Sequence, residues 1–214
     1  MAAYLSIDTE ATGLQEGNFL IQLALVPVDT KTKRVYEELG KETFVSCPSY
    51  DELEPKLDSW NKEHNSGLIR SAHATGIPMD SVKSFITTYL KLPQITEIFK
   101  RDRPILLGKS LSALDIPLLK RYMGWNLYDQ TFHHHTLDVT CMARGLCDAG
   151  LLPENCSSSS KLIKHFGIRD NVKHTALSDA TDMAHIYLRL LDLVTAQTAA
   201  VAALKAAMTK NTVE

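Results

Sequence analysis

The segment Tyr4–Leu14, which reads Y-L-S-I-D-T-E-A-T-G-L, constrains this chain more than any other stretch. Its first residues are strand formers in an apolar run, which predicts a buried strand. Asp8 and Glu10 lie two residues apart near its end, so a strand would point both carboxylates to one face. A divalent cation such as Mg2+ or Mn2+ would relieve their repulsion, because such ions prefer carboxylate oxygens. The alternative is an edge-strand pair that faces water.

Composition limits the kind of protein that carries this segment. The chain has 214 residues, of which 44% are hydrophobic, and a formal net charge of -2. These values predict one domain of ordinary size, or one domain with a small appendage. The charge balance gives no sign of bulk polyanion binding, so any contact with nucleic acid is expected to be local or metal-mediated; a soluble protein without charge bias fits equally well.

The cysteines and the N-terminal sequence bear on the cellular environment. Cys47, Cys141, Cys147 and Cys156 are scattered without a C-x-x-C pair, which favours reduced thiols over zinc ligands or a disulfide framework. The N-terminus lacks the basic region and apolar run of a signal peptide. Since no uninterrupted apolar run of about 18 residues occurs, we expect no membrane span and a cytoplasmic location.

Apolar runs and turn residues predict the order of the elements. After the first segment, strands are expected at Phe19–Val28, Thr43–Val45, Pro104–Gly108 and Phe132–Leu137. Helices are expected at Ser49–Leu53, Ser59–Arg70, Met79–Leu90, Ser112–Met123, Asp138–Gly145 and Ala176–Leu193. An antiparallel meander followed by strands that alternate with helices predicts an α/β domain, with a central mixed β-sheet flanked by helices.

Three further features have two interpretations each. The run Ser157–Ser160 is either a flexible linker or, as we prefer, the start of a helix that Gly167 ends. The alanine-rich segment Thr195–Met208 predicts a helical tail, which divides the chain into a domain at residues 1–193 and a tail at residues 194–214. That tail caps its own core, or it forms an interface. Leu57 and Trp60 are interpreted as buried anchors.

Two more carboxylates and one histidine stand at positions suited to a site. Asp115 follows the strand Pro104–Gly108, at the edge where open α/β sheets place their sites, although it is equally an acidic residue at a helix N-terminus. Asp179 begins an otherwise apolar helix. His174 is five residues earlier, about 140° away on a helix, so it must precede the helix if both side chains face one site. The alternative is an exposed histidine at the helix entry.

The combination suggests one chemistry. Four carboxylates can hold two metal ions about 3.5–4 Å apart, an arrangement suited to in-line phosphoryl transfer. A mobile histidine beside them can take the proton of an attacking water. The residues alone predict a divalent-metal phosphodiesterase or phosphatase on an α/β fold.

Three motifs resemble those of a known family. I-D-T-E-A-T-G-L, G-K-S-L-S-A-L-D-I-P-L-L and H-T-A-L-S-D-A are similar to the exonuclease motifs of the DEDD superfamily, histidine subtype (DEDDh, DnaQ-like). The resemblance implies a ribonuclease H-like fold and removal of nucleotides from 3′ ends with two Mg2+ or Mn2+ ions. It implies that Asp8, Glu10, Asp115 and Asp179 are metal ligands and that His174, acting with Glu10, is catalytic. It also implies that Thr12, Gly13 and Leu14 contact the terminal nucleotide.

Subfamily features and departures accompany this resemblance. Leu57–Asn61, L-D-S-W-N, is similar to oligoribonuclease, whereas Arg70–Pro78 is similar to proofreading exonuclease subunits. Lys109 and Ser110 replace the asparagine usual in the second motif, and Lys109 is available for a phosphate. The histidines of His133–His135 cannot all face one ion on a strand, so they are interpreted as surface or sheet-end residues.

The substrate and partners stay open at this point. The leading hypothesis is a 3′-to-5′ exonuclease on single-stranded RNA or DNA ends, and near-neutral charge favours short oligonucleotides. A proofreading or repair module with a polymerase or helicase partner is the second hypothesis, and the tail would equally suit a homodimer. The third is a non-catalytic nucleic-acid-binding protein, which the complete set of four acids and a histidine disfavours.

Overall fold

A computed structural model describes residues 3–13, 15, 17–100, 102–169 and 174–211. Its centre is a mixed sheet of six strands in the order β3-β2-β1-β5-β6, with β4 also paired to β2. The strands are β1 Ala3–Ala11, β2 Leu20–Asp29, β3 Arg34–Val35, β4 Lys41–Phe44, β5 Ile105–Gly108 and β6 Thr136–Asp138. β1 runs antiparallel to β2 and parallel to β5, and β5 runs parallel to β6. The predicted central mixed sheet is therefore confirmed.

The central strand β1 has two faces with different tasks. Leu5, Ile7 and Ala11 are buried in one hydrophobic cluster with β2, β5 and the helices that follow β4 and β5. The alternate residues point the other way, and among them the Ser6 hydroxyl donates a 2.6 Å hydrogen bond to the Ala180 carbonyl. Period-two alternation thus places Asp8 and Glu10 on the face that carries the C-terminal helix.

The third strand of the meander differs from its prediction. Instead of one strand at Thr43–Val45, two short strands, β3 and β4, pair with β2. A 3-10 turn at Glu37–Leu39 and Gly40 separate them. Val45 itself forms only an isolated bridge to Ile77. Turn residues between two weakly apolar segments explain the split, because neither segment is long enough to continue as a strand.

Ten helices are described around the sheet. They are α1 Tyr50–Leu53, α2 Ser59–His64, α3 Ser66–Thr75, α4 Val82–Leu90, α5 Pro93–Phe99, α6 Asp115–Met123, α7 Trp125–Thr131, α8 Val139–Asp148, α9 Ser159–Phe166 and α10 Ala176–Asn211. The helices from α4 to α7 cover one face of the sheet, and α8, α9 and α10 cover the other. The layers flanking the sheet are as predicted.

Helix boundaries differ from the prediction at three places. The helix expected at Ser59–Arg70 is two helices, because the buried Asn65 breaks it and donates to the Ala11 carbonyl at 3.0 Å. α5 and α7 were not predicted. α9 begins at Ser159 and ends at Gly167 in a left-handed conformation, so the helix interpretation of the serine run is right and the linker alternative is wrong.

The predicted C-terminal helix and its tail form one continuous helix, α10. Its first half is buried through Leu190, whereas Val201, Leu204 and Met208 are exposed. By length and composition alone, Ala176–Lys205 is apolar enough to cross a membrane, with a mean hydropathy of 1.3 over 18 residues, 22% of which is buried here. The division at residue 193 and the expected lack of a membrane span stay predictions.

Candidate metal centre

Three predicted carboxylates meet at the carboxyl end of β1. Oxygen atoms of Asp8, Glu10 and Asp179 all lie within 4.8 Å of one another. β1 supplies the first two and the first turn of α10 supplies the third. The hydrogen bond from Ser6 to Ala180 fastens that turn of α10 onto β1. Two residues on one strand face and one on the helix that covers it thus form an acid cluster.

Asp115 reaches the same place from the other side of the sheet. It is the first residue of α6, is 4% exposed, and accepts a 2.7 Å hydrogen bond from the Thr9 hydroxyl. Its charge is the largest electrostatic influence on Asp8 after burial. The four predicted acids are therefore neighbours, with Asp115 adjoining the acid cluster of Asp8, Glu10 and Asp179.

Burial and mutual repulsion dominate the electrostatics of this cluster. Burial, and then the charges of Asp115, Glu10 and Asp179, raise the pKa of Asp8 well above its ordinary value. Burial and the charges of Asp179 and Asp115 raise the pKa of Glu10 to about 7. Burial raises the pKa of Asp115 to about 6 against the Thr9 hydrogen bond, and burial also raises that of Asp179.

These shifts test whether the residues fit a divalent ion. Carboxylates held close in a buried site are costly when ionised, and a hard cation with oxygen ligands removes that cost. The donor set consists of carboxylates alone, which suits Mg2+ or Mn2+ better than a soft metal. The residues fit the predicted metal.

The predicted histidine stands where the sequence placed it. His174 is exposed and precedes α10, and its charge is the first of those that lower the pKa of Asp179. The start of α10 is fixed behind it, because Ala176 N–H donates to the Gln22 side chain at 3.1 Å and Ser178 N–H donates to the Thr175 hydroxyl at 3.3 Å. His174 thus lies beside the acid cluster, and the first residues of α10 that follow it are held by hydrogen bonds.

Two cations lie near the cluster; the sequence suggested Lys109 as a phosphate contact but gave Arg169 no role. Arg169 forms an ion pair with Asp182, which is 4% exposed, and lies 3.4 Å from Asp179. Lys109, at the end of β5, lowers the pKa values of Asp8, Glu10 and Asp179. The position of Lys109 directly after a buried strand was a usable signal, whereas Arg169 comes close only through the tertiary fold.

The predicted nucleotide-contacting residues follow directly on the acid cluster. Thr12 is buried, and its N–H donates to the Phe19 carbonyl at 2.9 Å, while its hydroxyl accepts from Phe19 N–H at 2.9 Å. A Cβ on Gly13 would lie 2.7 Å from the Asn18 side-chain nitrogen Nδ2, so the Asn18 side chain would have to move to admit it. This turn is tightly closed beside Glu10. Leu14 lies outside the described residues.

A cleft of about 370 Å3 opens next to Glu10 and Gly13. Asn61, Asn65 and Leu114 form part of its wall, together with Trp60. The expectation that Trp60 is a buried anchor is wrong, because it is 55% exposed and stacks on His64 with ring centroids 4.6 Å apart; Leu57, at 7%, is buried as expected. Trp60 thus lies on the wall of the cleft beside Glu10 rather than in the core.

The histidines His133–His135 lie at the surface at one end of the sheet, as predicted, although the strand expected at Phe132–Leu137 is shorter. They precede β6, which begins at Thr136, rather than lying on a strand. Their ring nitrogens lie within 4.8 Å of one another, so the argument that three adjacent histidines cannot face one ion does not hold. That argument assumed the side-to-side alternation of a strand, which a loop does not impose.

Comparison with known proteins places this geometry in context. A profile described as the RNase_T exonuclease matches residues 5–187. No curated protein matches the chain significantly.

Several solved structures resemble the chain at low sequence identity. The nuclease domain of 3′hExo, described as a DEDDh family member bound to rAMP, aligns with a TM-score of 0.62 at 14% identity over 89% of this chain and 92% of its own. Cell-death related nuclease 4 aligns with a TM-score of 0.67 at 16% identity over 90% of this chain and 64% of its own. Pop2p of S. pombe, in a form with Mg2+ and Mn2+ bound, aligns with a TM-score of 0.58 at 13% identity over 87% and 82%. These similarities establish the ribonuclease H-like fold.

Proposed function

We propose that this chain, which belongs to the RNase_T exonuclease family, removes nucleotides one at a time from the 3′ end of single-stranded RNA or DNA. The observation that carries the proposal is the convergence of Asp8, Glu10 and Asp179 within 4.8 Å, with Asp115 adjoining them. The proposal goes further than family membership, because it fixes the direction, the end of the strand and the residue roles.

The four carboxylates of the site have the ligand role in this proposal. Asp8, Glu10, Asp115 and Asp179 would hold two Mg2+ or Mn2+ ions, which when bound supply an acidic water and stabilise developing charge. Thr9 holds Asp115 in place through its 2.7 Å hydrogen bond. Ser6 fastens α10, and with it Asp179, onto β1.

His174 has the proton-transfer role. Its imidazole is exposed beside Asp179, so a ring nitrogen is free to accept the proton of the attacking water. The water oxygen bonds to phosphorus as the bond from phosphorus to the 3′ oxygen breaks, which releases a nucleoside 5′-monophosphate and leaves a 3′-hydroxyl on the shortened strand. Glu10 is catalytic in this proposal as a metal ligand that also lines the cleft.

The cleft beside Glu10 supports action at a strand end. At about 370 Å3 it suits one nucleotide rather than a duplex, and Trp60 offers an exposed aromatic face for a base. Thr12, Gly13 and Leu14 would contact the terminal nucleotide, as the motif resemblance implies. A net charge of -2 favours short oligonucleotides over long polymers. The structural relative bound to rAMP is consistent with a mononucleotide in such a cleft.

The test uses 5′-labelled single-stranded RNA and DNA, both long and two to five nucleotides long, with Mg2+, Mn2+ or EDTA. We expect a metal-dependent ladder that shortens from the 3′ end and is absent in Asp8→Ala. A 3′-phosphate block on the same strands should prevent the ladder, whereas a 5′ block should not. Endonucleolytic fragments, or equal cleavage by the variant, would contradict the proposal, and strand binding without cleavage would favour a non-catalytic nucleic-acid-binding protein.

The exposed part of α10 favours an interface with another protein chain. Val201, Leu204 and Met208 lie at helical spacing and are 51%, 63% and 63% exposed. A homodimer, or a polymerase or helicase partner, would cover such a face. A cytoplasmic location belongs to the same proposal, and light scattering of the purified chain tests the homodimer directly.

A further inference from the structure

The histidine cluster, His133, His134 and His135, is a compact group of imidazoles outside the acid cluster. Its ring centroids are 4.3, 4.8 and 4.2 Å apart in the pairs His133–His134, His133–His135 and His134–His135. All three offer ring nitrogens within 4.8 Å of one another. His134 and His135 are exposed and His133 is half-buried. The group is thus both concentrated and accessible.

The backbone holds this cluster together. His133 N–H donates to the Pro104 carbonyl at 2.9 Å, which ties the segment to the start of β5. His135 N–H donates to His133 Nδ1 at 3.0 Å, which turns the chain back on itself. These two bonds replace strand alternation with a turn, and the turn brings three consecutive side chains to one side.

The histidine cluster lies at the opposite end of the sheet from the acid cluster. Pro104 precedes Ile105, which pairs with Tyr4, so the cluster is level with the start of β1. Asp8 lies five positions beyond Ala3 on that strand, a separation of about 16 Å at 3.3 Å per residue. A single ion therefore cannot be shared between the two clusters.

The donor chemistry selects a different metal class at each end. Imidazole nitrogen suits Zn2+, Ni2+ and Cu2+, whereas an all-carboxylate set suits Mg2+ or Mn2+. Zn–N bonds of about 2.0–2.1 Å in tetrahedral geometry put two ligand atoms about 3.3 Å apart, which exposed imidazoles reach by small rotations. Asp102 lies with His133 on the wall of a cleft of about 570 Å3, and its charge acts on the His133 imidazole.

The state of His133 is compatible with metal binding. Partial burial and the neighbouring His134 and His135 lower its pKa, which favours the neutral imidazole that a metal requires. Its Nδ1 accepts the amide of His135, so a metal bound to His133 replaces that hydrogen bond, while the bond from His133 N–H to the Pro104 carbonyl still holds the segment. His134 and His135 make no such exchange in the described contacts, and their rings are the first ligands.

We propose that His133, His134 and His135 form a binding site for a transition-metal cation of the imidazole-preferring class, with Zn2+ as the reference ion. The site is separate from the acid cluster and does not depend on nuclease activity. It lies at the end of the sheet opposite the acid cluster, where the proposed reaction takes place.

Isothermal titration with Zn2+ tests the proposal on the full chain in excess Mg2+, which occupies the acid cluster. The variants are His134→Gln with His135→Gln, Asp8→Asn, and His165→Gln as a matched surface histidine outside the cluster. We expect one Zn2+ per chain in the wild type, Asp8→Asn and His165→Gln, and at least tenfold weaker binding in the double variant. Circular dichroism and thermal unfolding establish that each variant is folded.

The same titration contains the outcomes that would overturn the site. Equal Zn2+ affinity in the double variant would place the ion elsewhere. Loss of the Zn2+ in Asp8→Asn would assign it to the acid cluster. Binding only at millimolar Zn2+ in the wild type would make the cluster an ordinary histidine surface.

Discussion

At the scale of single residues, Glu10 shows how the proposed reaction and stability oppose each other. Its pKa is about 7 in the folded chain without metal, against an ordinary value of 4.5, because burial and neighbouring acids disfavour its charge. Between these pH values the folded state holds more protons than the unfolded state. The contribution of Glu10 to stability therefore falls as pH rises from about 4.5 to about 7 and stays low above that.

Replacement of Glu10 by glutamine should consequently stabilise the metal-free protein at pH 8. We expect the free energy of unfolding in EDTA to rise by roughly 1–3 kcal/mol, since glutamine removes a partly buried charge with little change in shape. At pH 4.5 the difference should vanish, because the wild-type carboxyl is then protonated in the folded state. Thermal unfolding at both pH values measures this.

The control for this prediction is Glu97→Gln, an exposed carboxylate on α5. It should change the unfolding temperature equally at both pH values, and by little. The same Glu10 variant should lose nuclease activity in Mg2+. A Glu10→Gln protein that is less stable than the wild type in EDTA at pH 8 would show that repulsion in the acid cluster is not the dominant force.

Trp60 is predicted to affect substrate binding rather than folding. Its ring is 55% exposed at the cleft wall, so Trp60→Ala should cost little stability, whereas stacking of an aromatic ring on a base is worth about 1–3 kcal/mol. We expect KM for a dinucleotide to rise about 5- to 100-fold with a smaller change in kcat. Trp125→Ala is the matched control, since Trp125 is 66% exposed over Lys120 and is not part of the cleft wall. Equal KM values for the two variants would remove Trp60 from the binding surface.

Residue-scale sequence reasoning succeeded where geometry follows from local periodicity. Asp8 and Glu10 share a face because strands alternate, and His174 precedes α10 because five residues cannot share one helix face. Arg169 and Trp60 were not predicted as site residues. The contact of Arg169 with Asp179 joins the end of α9 to α10, and the exposure of Trp60 depends on which side of α2 is buried, where Asn61 rather than Trp60 lies.

At the scale of elements, the apolar strands were predictable and the breaks between helices were not. β1, β2 and β5 lie in short apolar runs, and short runs of this kind predict buried strands. The break between α2 and α3 depends on Asn65, which gains a hydrogen bond to Ala11 that no local pattern indicates. α7 follows Gly124 at φ 82°, which ends α6 and begins a new direction.

The C-terminal half of α10 should be dispensable for folding. Burial on α10 ends near Leu190, and large apolar side chains beyond Thr195 are exposed. Removal of residues 195–214 should therefore leave the unfolding temperature within about 2–4 °C, the shift that roughly 1 kcal/mol gives at this size. Activity on a dinucleotide should be unchanged. Loss of cooperative unfolding would show that the tail packs on the domain and would move the predicted boundary at residue 193.

The same truncation separates the roles left open for the tail. If a homodimer uses Val201 and Leu204, the truncated chain should be a monomer by light scattering while the full chain is not. A matched variant, Val201→Lys with Leu204→Lys, should give the monomer without shortening the helix. If both proteins are monomers and equally active, the exposed stripe is available to a different partner.

At the scale of the whole molecule, charge distribution matters more than net charge. A chain with a net charge of -2 gathers four carboxylates at the carboxyl end of β1, where the pKa values of Glu10 and Asp115 rise to about 7 and about 6. Protons and divalent ions therefore compete for the same oxygens at physiological pH. Metal affinity is expected to depend on pH in a range where ordinary carboxylates are already ionised.

We predict that the Mg2+ concentration for half-saturation falls steeply as pH rises from 6 to 7 and levels off above about 8. For each proton that Mg2+ must displace, the half-saturating Mg2+ concentration rises up to tenfold per pH unit below the pKa of that carboxyl. The concentration should be read from the Mg2+-dependent rise in unfolding temperature, because activity also includes the chemical step. Asp115→Asn should flatten the lower part of this dependence, and the surface variant Glu97→Gln should not.

A half-saturating concentration that is constant from pH 6 to 8 would mean that the acids are ionised before the metal binds. In that case, the repulsion among Asp8, Glu10 and Asp179 would have to be balanced within the protein, with Lys109 and Arg169 as the cations placed to do so.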